Sequence, residues 1–151
     1  MHRRTMGGLA LAAAVAVTAA CGQAARQPAE LDTRNEQCRF CNMVVSTRVT
    51  ASQVVAPGEE PRFFDDLGCL ASWLKDNPLP QGAVVFVADH RTGEWVSAAS
   101  AVYSRVETLD TPMGSHLLAH ANEGSRTADR PAAGGQVLSV GEAIGLRAGG
   151  Q

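Results

Sequence analysis

The sequence predicts an α+β fold: two small ββαβ units packed together, preceded by a signal peptide and a flexible tether. Three observations predict it. The chain opens on charge followed by an apolar run that ends at a cysteine. A polar stretch without apolar period comes next. The remaining residues interleave β-branched runs with short amphipathic segments, in the order strand, strand, helix, strand, then strand, strand, helix, strand, helix. That remainder is about 115 residues, enough for one domain or two very small ones. The expected divisions are a signal at 1–20, a lipidated cysteine and tether at 21–36, and a folded region at 37–148, halved at about 90.

The N-terminal segment carries His2, Arg3 and Arg4, then an uncharged Ala/Val/Leu run over residues 6–20. This is the layout of a secretory signal, too short for a spanning helix, which needs about 20 apolar residues. Small residues then lead into Cys21, as at a lipobox, where the thiol is acylated and the chain is cut just before it; Thr18 stands where such boxes usually carry Leu. The plainer alternative is an ordinary cleaved signal with an incidental cysteine. Either route places the chain in the cell envelope, facing the periplasm or exterior. Removing Arg3 and Arg4 from the 13 basic side chains leaves 11 against 15 acidic ones. No basic patch with interleaved aromatics points to nucleic acid.

Along the folded region, residues 44–50 are β-branched and predict a first strand, residues 51–55 a second, and Arg62, Phe63 and Phe64 an extended buried segment. Asp65 or Asp66 should cap a helix to about Lys75, with Leu67, Leu70, Trp73 and Leu74 on one face and Asn77-Pro78 as its stop. Residues 83–88 form an apolar run, and Arg91-Thr92-Gly93 a turn into a strand at 94–97. Residues 102–106 predict the next strand. Thr111-Pro112 reads as a helix opening, with the helix running to about Asn122 and stopped by Gly124. A polar loop to Gly135, a short strand at 137–138 and a Ser139/Glu142 capping box before a last helix complete the chain.

The chemistry lies in sulfur. With Cys21 set aside, Cys38, Cys41 and Cys69 remain, an odd number for a disulfide framework in an exported chain. Cys38-x-x-Cys41 is followed by Met43, and thiolates with a thioether suit a soft ion such as Cu(I). The alternatives are a local disulfide with a core methionine, or a thioredoxin-type pair, which would instead want its first cysteine at a helix N-terminus. On the expected helix, Met113, His116 and His120 share one stripe, as ligands or as core and solvated edge. Cys69 could join the cysteine pair or pack as a small hydrophobe. Asp65 and Asp66 read as helix caps, and His90 as an exposed turn residue. Neither a Ser/His/Asp order, a phosphate-binding glycine loop nor a His-Glu-x-x-His motif occurs, so nothing supports an enzyme.

Four motifs in order, Cys38-x-x-Cys41-x-Met43, Phe64-Asp65-Asp66-Leu67-Gly68-Cys69, Thr92-Gly93-Glu94-Trp95 and Thr111-Pro112-Met113-Gly114, resemble the NosL family. Its members are lipoproteins that act as copper chaperones for nitrous oxide reductase. The resemblance spans Cys38 to about Asn122, with Asn42 where the family commonly has Gly. It implies Cu(I) binding, with ligands drawn from Cys38, Cys41, Met43 and Met113, foremost Cys38 and Met113. Cys69, His116 and His120 are further candidates. It also implies two ββαβ units, attachment to the membrane through lipid on Cys21, and copper transfer to a membrane maturation complex or to the reductase. Against it stand a structural zinc module built on Cys38, Cys41, Cys69 and a histidine, and a membrane-anchored thiol-disulfide protein.

Overall fold

The computed structural model describes residues 26–147. The signal and Cys21 lie outside the described residues. Seven strands and three helices follow in the order β1 (Ser52–Val55), β2 (Arg62–Phe64), α1 (Leu67–Asp76), β3 (Val84–Ala88), β4 (Trp95–Ser97), β5 (Val102–Arg105), β6 (Leu117–His120), α2 (Glu123–Ala128), β7 (Gln136–Leu138) and α3 (Val140–Ile144).

Two antiparallel sheets result, ordered β2-β1-β3-β4 and β6-β5-β7. Each places its first strand in the middle, its second and third strands on either side, and a helix between those two. The same ββαβ path is thus drawn twice without a residue repeat. β4, expected with the second half, pairs with β3 and extends the first sheet. Central position explains why Ser52, Gln53 and Val54 of β1 are all buried: a strand flanked on both edges keeps only its two faces, and both are covered. The buried Gln53 amide finds its partners in the backbone of Ala29, accepting from its N–H (2.8 Å) and donating to its carbonyl (3.1 Å). Ala29 and Leu31 pack against the core, so from Ala29 onward the expected tether lies on the domain.

α1 forms where its caps and apolar face predict. Asp66 is the N-cap and accepts from Gly68 N–H at 2.6 Å; Asn77 closes the C-terminus by donating to the Trp73 carbonyl. Leu67 and Leu70 are buried, and Trp73 meets Phe64 with ring centroids 5.5 Å apart. α3 has the expected capping box between Ser139 and Glu142 and ends on Gly145 at φ 77°. One core unites both halves, running from Val54, Phe64 and Leu70 through Tyr103 and Leu117 to Ile144.

Three further expectations change. Residues 44–50 are not a strand: Val44 makes a single bridge to Gln37, and Cys38 occupies the place beside β2 that a strand would need. Val45 is buried all the same, so its apolar character serves the core and not a ladder. Residues 111–122 are not a helix. Gly114 and His116 stand at φ 68° and 58°, which breaks any helix there, and the apolar run after them is β6. Four successive buried residues fit a strand or a helix equally by pattern. Finally, Gly124 does not stop a helix but lies within α2, whose N-cap Asn122 accepts from Ser125 N–H.

Candidate metal centre

The Cys-x-x-Cys segment is a tight loop and not the lead-in to a strand. Cys38 N–H donates to the Met43 carbonyl (2.8 Å) and Asn42 N–H to the Cys38 carbonyl (2.9 Å). Asn42 takes the left-handed conformation at φ 61° that this closure demands. Asn is among the few non-glycine residues that enter that region readily. Arg39 N–H donates to the Phe63 carbonyl and clips the loop to β2. The strand then delivers Asp65, and the first turn of α1 delivers Cys69.

Ligand atoms of Cys38, Cys41, Asp65 and Cys69 all lie within 4.8 Å of one another. All three cysteines are free thiols. Cys38 and Cys69 are buried and Cys41 is half-buried at the mouth. Cys41 donates its thiol proton to the Asp65 carboxylate, 3.6 Å to either oxygen. The environment divides the three sulfurs. The Cys69 thiol, aided by backbone donors, holds Cys38 well below the ordinary thiol range, at about 6. The reverse side of that contact, with burial and the nearby negative charge, pushes Cys69 up. Burial chiefly pushes Cys41 up. The site therefore presents one thiolate, on Cys38, supported by two thiols.

Met113 approaches through its backbone. Asp66 accepts from Thr111 Oγ1 (2.7 Å) and from Met113 N–H (3.0 Å), binding the turn at 111–115 to the start of α1 beside the cysteines. Gly68 allows this approach: a Cβ there would stand 2.7 Å from Ser115 Cβ. The Met113 side chain is exposed, as are Met43, Phe40 and Val44 on or next to the cysteine loop. These four are among five large hydrophobic side chains left exposed among the described residues.

The two histidines stand elsewhere. His116 Nδ1 meets the Leu109 carbonyl at 2.9 Å. His120, wholly buried at the end of β6, contacts Asp129 with His90 and belongs to a separate group. The expected Met113–His116–His120 stripe does not form, because its helix does not. Among the described residues no histidine joins the cysteines, so Asp65, read from sequence as a cap, fills the place assigned to one in the zinc-module alternative. Asp65 and Asp66 divide the work: Asp66 caps, and Asp65 faces the sulfurs. Their adjacency conceals the division, since only one residue can be the N-cap and the other turns inward along the strand.

Comparison with known proteins bears on family and fold. The crystal structure of the copper chaperone NosL from Shewanella denitrificans is similar over 77% of this chain and 94% of that one, with a TM-score of 0.61 and 15% identity. No curated protein matches. The NosL family profile matches residues 28–144, from the segment held by Gln53 to the last helix. The chain belongs to the NosL family.

Proposed function

We propose that this chain is a lipid-anchored, extracytoplasmic carrier of Cu(I) that delivers the ion for nitrous oxide reductase assembly, and that it is not an enzyme. The observation that carries the reading is the convergence of Cys38, Cys41 and Cys69, with exposed Met43 on the same loop and the backbone of exposed Met113 held to Asp66 at the start of α1. Cu(I) is soft and takes thiolate and thioether ligands at low coordination number. A single thiolate suits an ion that must later leave, since each further anionic sulfur would deepen the hold. Asp65 keeps Cys41 as a thiol by accepting its hydrogen bond. Cys38 is the first ligand in this reading and the Met113 thioether the second, with Met43 and Cys41 at the rim. A receiving methionine or histidine from a membrane maturation complex, or from the reductase itself, would enter at the exposed side and take the ion by ligand exchange. Family membership and the copper chaperone of like fold support this reading.

Titration of the reduced full chain with Cu(I) against a coloured chelator tests it. One equivalent should bind, Cys38→Ala should weaken binding by about 100-fold or more, and Met113→Ala by less. Unchanged affinity in both variants would remove this site. Three sulfurs with a carboxylate also make a four-donor set that zinc could use. A zinc chelator would then unfold the chain, whereas a carrier keeps its fold when stripped.

A further inference from the structure

A second group of ligand-type side chains lies away from the sulfurs. His90 stands in the turn between β3 and β4, His120 at the end of β6, and Asp129 at the C-cap of α2. His90 Nδ1 is 2.6 Å and His120 Nε2 3.0 Å from the same oxygen, Asp129 Oδ2. The His120 side chain has no exposed surface, that of Asp129 8% and that of His90 14%. His120 Nδ1 is buried and meets no partner. What singles the group out is that two imidazole nitrogens converge on one carboxylate oxygen inside the fold, three ligand-type atoms within 4.8 Å of one another.

From this geometry we propose a divalent-metal site of the zinc class, with His90 Nδ1, His120 Nε2 and Asp129 Oδ2 as its protein ligands. Two imidazoles and a carboxylate are a zinc donor set, too hard for Cu(I). Zinc bonds of about 2.0–2.1 Å put tetrahedral ligands about 3.4 Å apart, so the contacts of 2.6 and 3.0 Å must open by about 0.8 and 0.4 Å, less than one ångström each. Binding replaces the two N–H···O hydrogen bonds by metal–ligand bonds, each ring carrying its proton on the other nitrogen. The fourth position faces the His90 side, where the cluster reaches the surface.

The surroundings hold the ligands in place. His90 N–H donates to the Ala119 carbonyl, beside His120. Asp89 fixes the turn by accepting from the N–H groups of Arg91 and Thr92, and ties it to β6 by accepting from Ala121 N–H. His90 belongs to the first sheet, His120 and Asp129 to the second half. An ion here would clasp the two halves together.

Cobalt(II) tests this without reference to copper. Cobalt on imidazole and carboxylate gives only weak visible bands, whereas cobalt on thiolate adds an intense near-ultraviolet charge-transfer band. Titration of the reduced full chain should give visible bands for one equivalent that carry no thiolate signature, and zinc should displace it and raise the melting temperature. His90, expected to be exposed, is mostly buried at 14%; His90→Gln, which keeps a polar side chain there, should weaken that binding by about 100-fold or more while circular dichroism and Cu(I) affinity stay unchanged. Asp129→Asn should do the same. Cobalt bound only to thiolate, or binding unaffected by both substitutions, would overturn the proposal.

Discussion

Asn42 carries a backbone conformation that the metal loop cannot do without, since its left-handed φ lets the Asn42 N–H reach the Cys38 carbonyl. Glycine adopts that conformation freely, and a β-branched residue does not. Asn42→Gly should therefore leave stability within a few tenths of a kcal/mol, while Asn42→Val should lower it by about 1–2 kcal/mol in equilibrium urea unfolding. Cys38 makes a second residue-scale prediction. Its pKa of about 6, against 9.0 for an ordinary thiol, means that the thiolate is already formed at neutral pH. Protons compete with copper only below that value. Affinity for Cu(I), measured by chelator competition, should be nearly level from pH 8 to pH 6 and fall about tenfold per unit below it. A plain surface thiol would instead lose affinity throughout that range.

At the scale of elements, the joint between α1 and the turn at 111–115 rests on Gly68 and Asp66. Gly68→Ala would bring a methyl group to 2.7 Å from Ser115 Cβ, and the turn must move to admit it. The expected result is a folded chain less stable by about 1–3 kcal/mol, with weaker Cu(I) binding that Met113→Ala does not weaken further. The helices α1 and α3 were readable from sequence because their caps are local chemistry: Asp66 with Gly68, and Ser139 with Glu142. β2, β3, β4 and β5 were readable from their apolar character. Residues 44–50 and 111–122 were misread for one shared reason, that their conformation is decided by what lies beside them. Val44 lacks a neighbouring strand because Cys38 has taken the place, and Thr111 spends its hydroxyl on Asp66 and not on opening a helix. Of the site, the three thiols could be suspected from spacing and oddness. Asp65 was hidden beside the capping Asp66. The group of His90, His120 and Asp129 left no local trace, since three elements far apart in sequence build it.

At the scale of the whole molecule, two sheets of like path share one apolar core, with α3 from the second half packed on α1 of the first. Such an arrangement should unfold as one unit. Ile144 lies fully buried in that core, while both tryptophans, Trp73 and Trp95, sit in the first half. Ile144→Ala should cost about 2–5 kcal/mol, and the tryptophan fluorescence transition should shift together with far-ultraviolet circular dichroism. A fluorescence midpoint left in place would mean that the halves unfold separately.

The clasp of Gln53 on Ala29 also sets a leash. If the polypeptide is fastened to lipid at Cys21, as proposed, only eight residue steps separate the bilayer from the point where the folded body begins. Even drawn taut, they span no more than about 29 Å. The body cannot roam the envelope in search of a client: any recipient must come to a shell roughly one small domain deep above the membrane. Gln53→Ala, which frees residue 29, would lengthen that reach without touching a single sulfur.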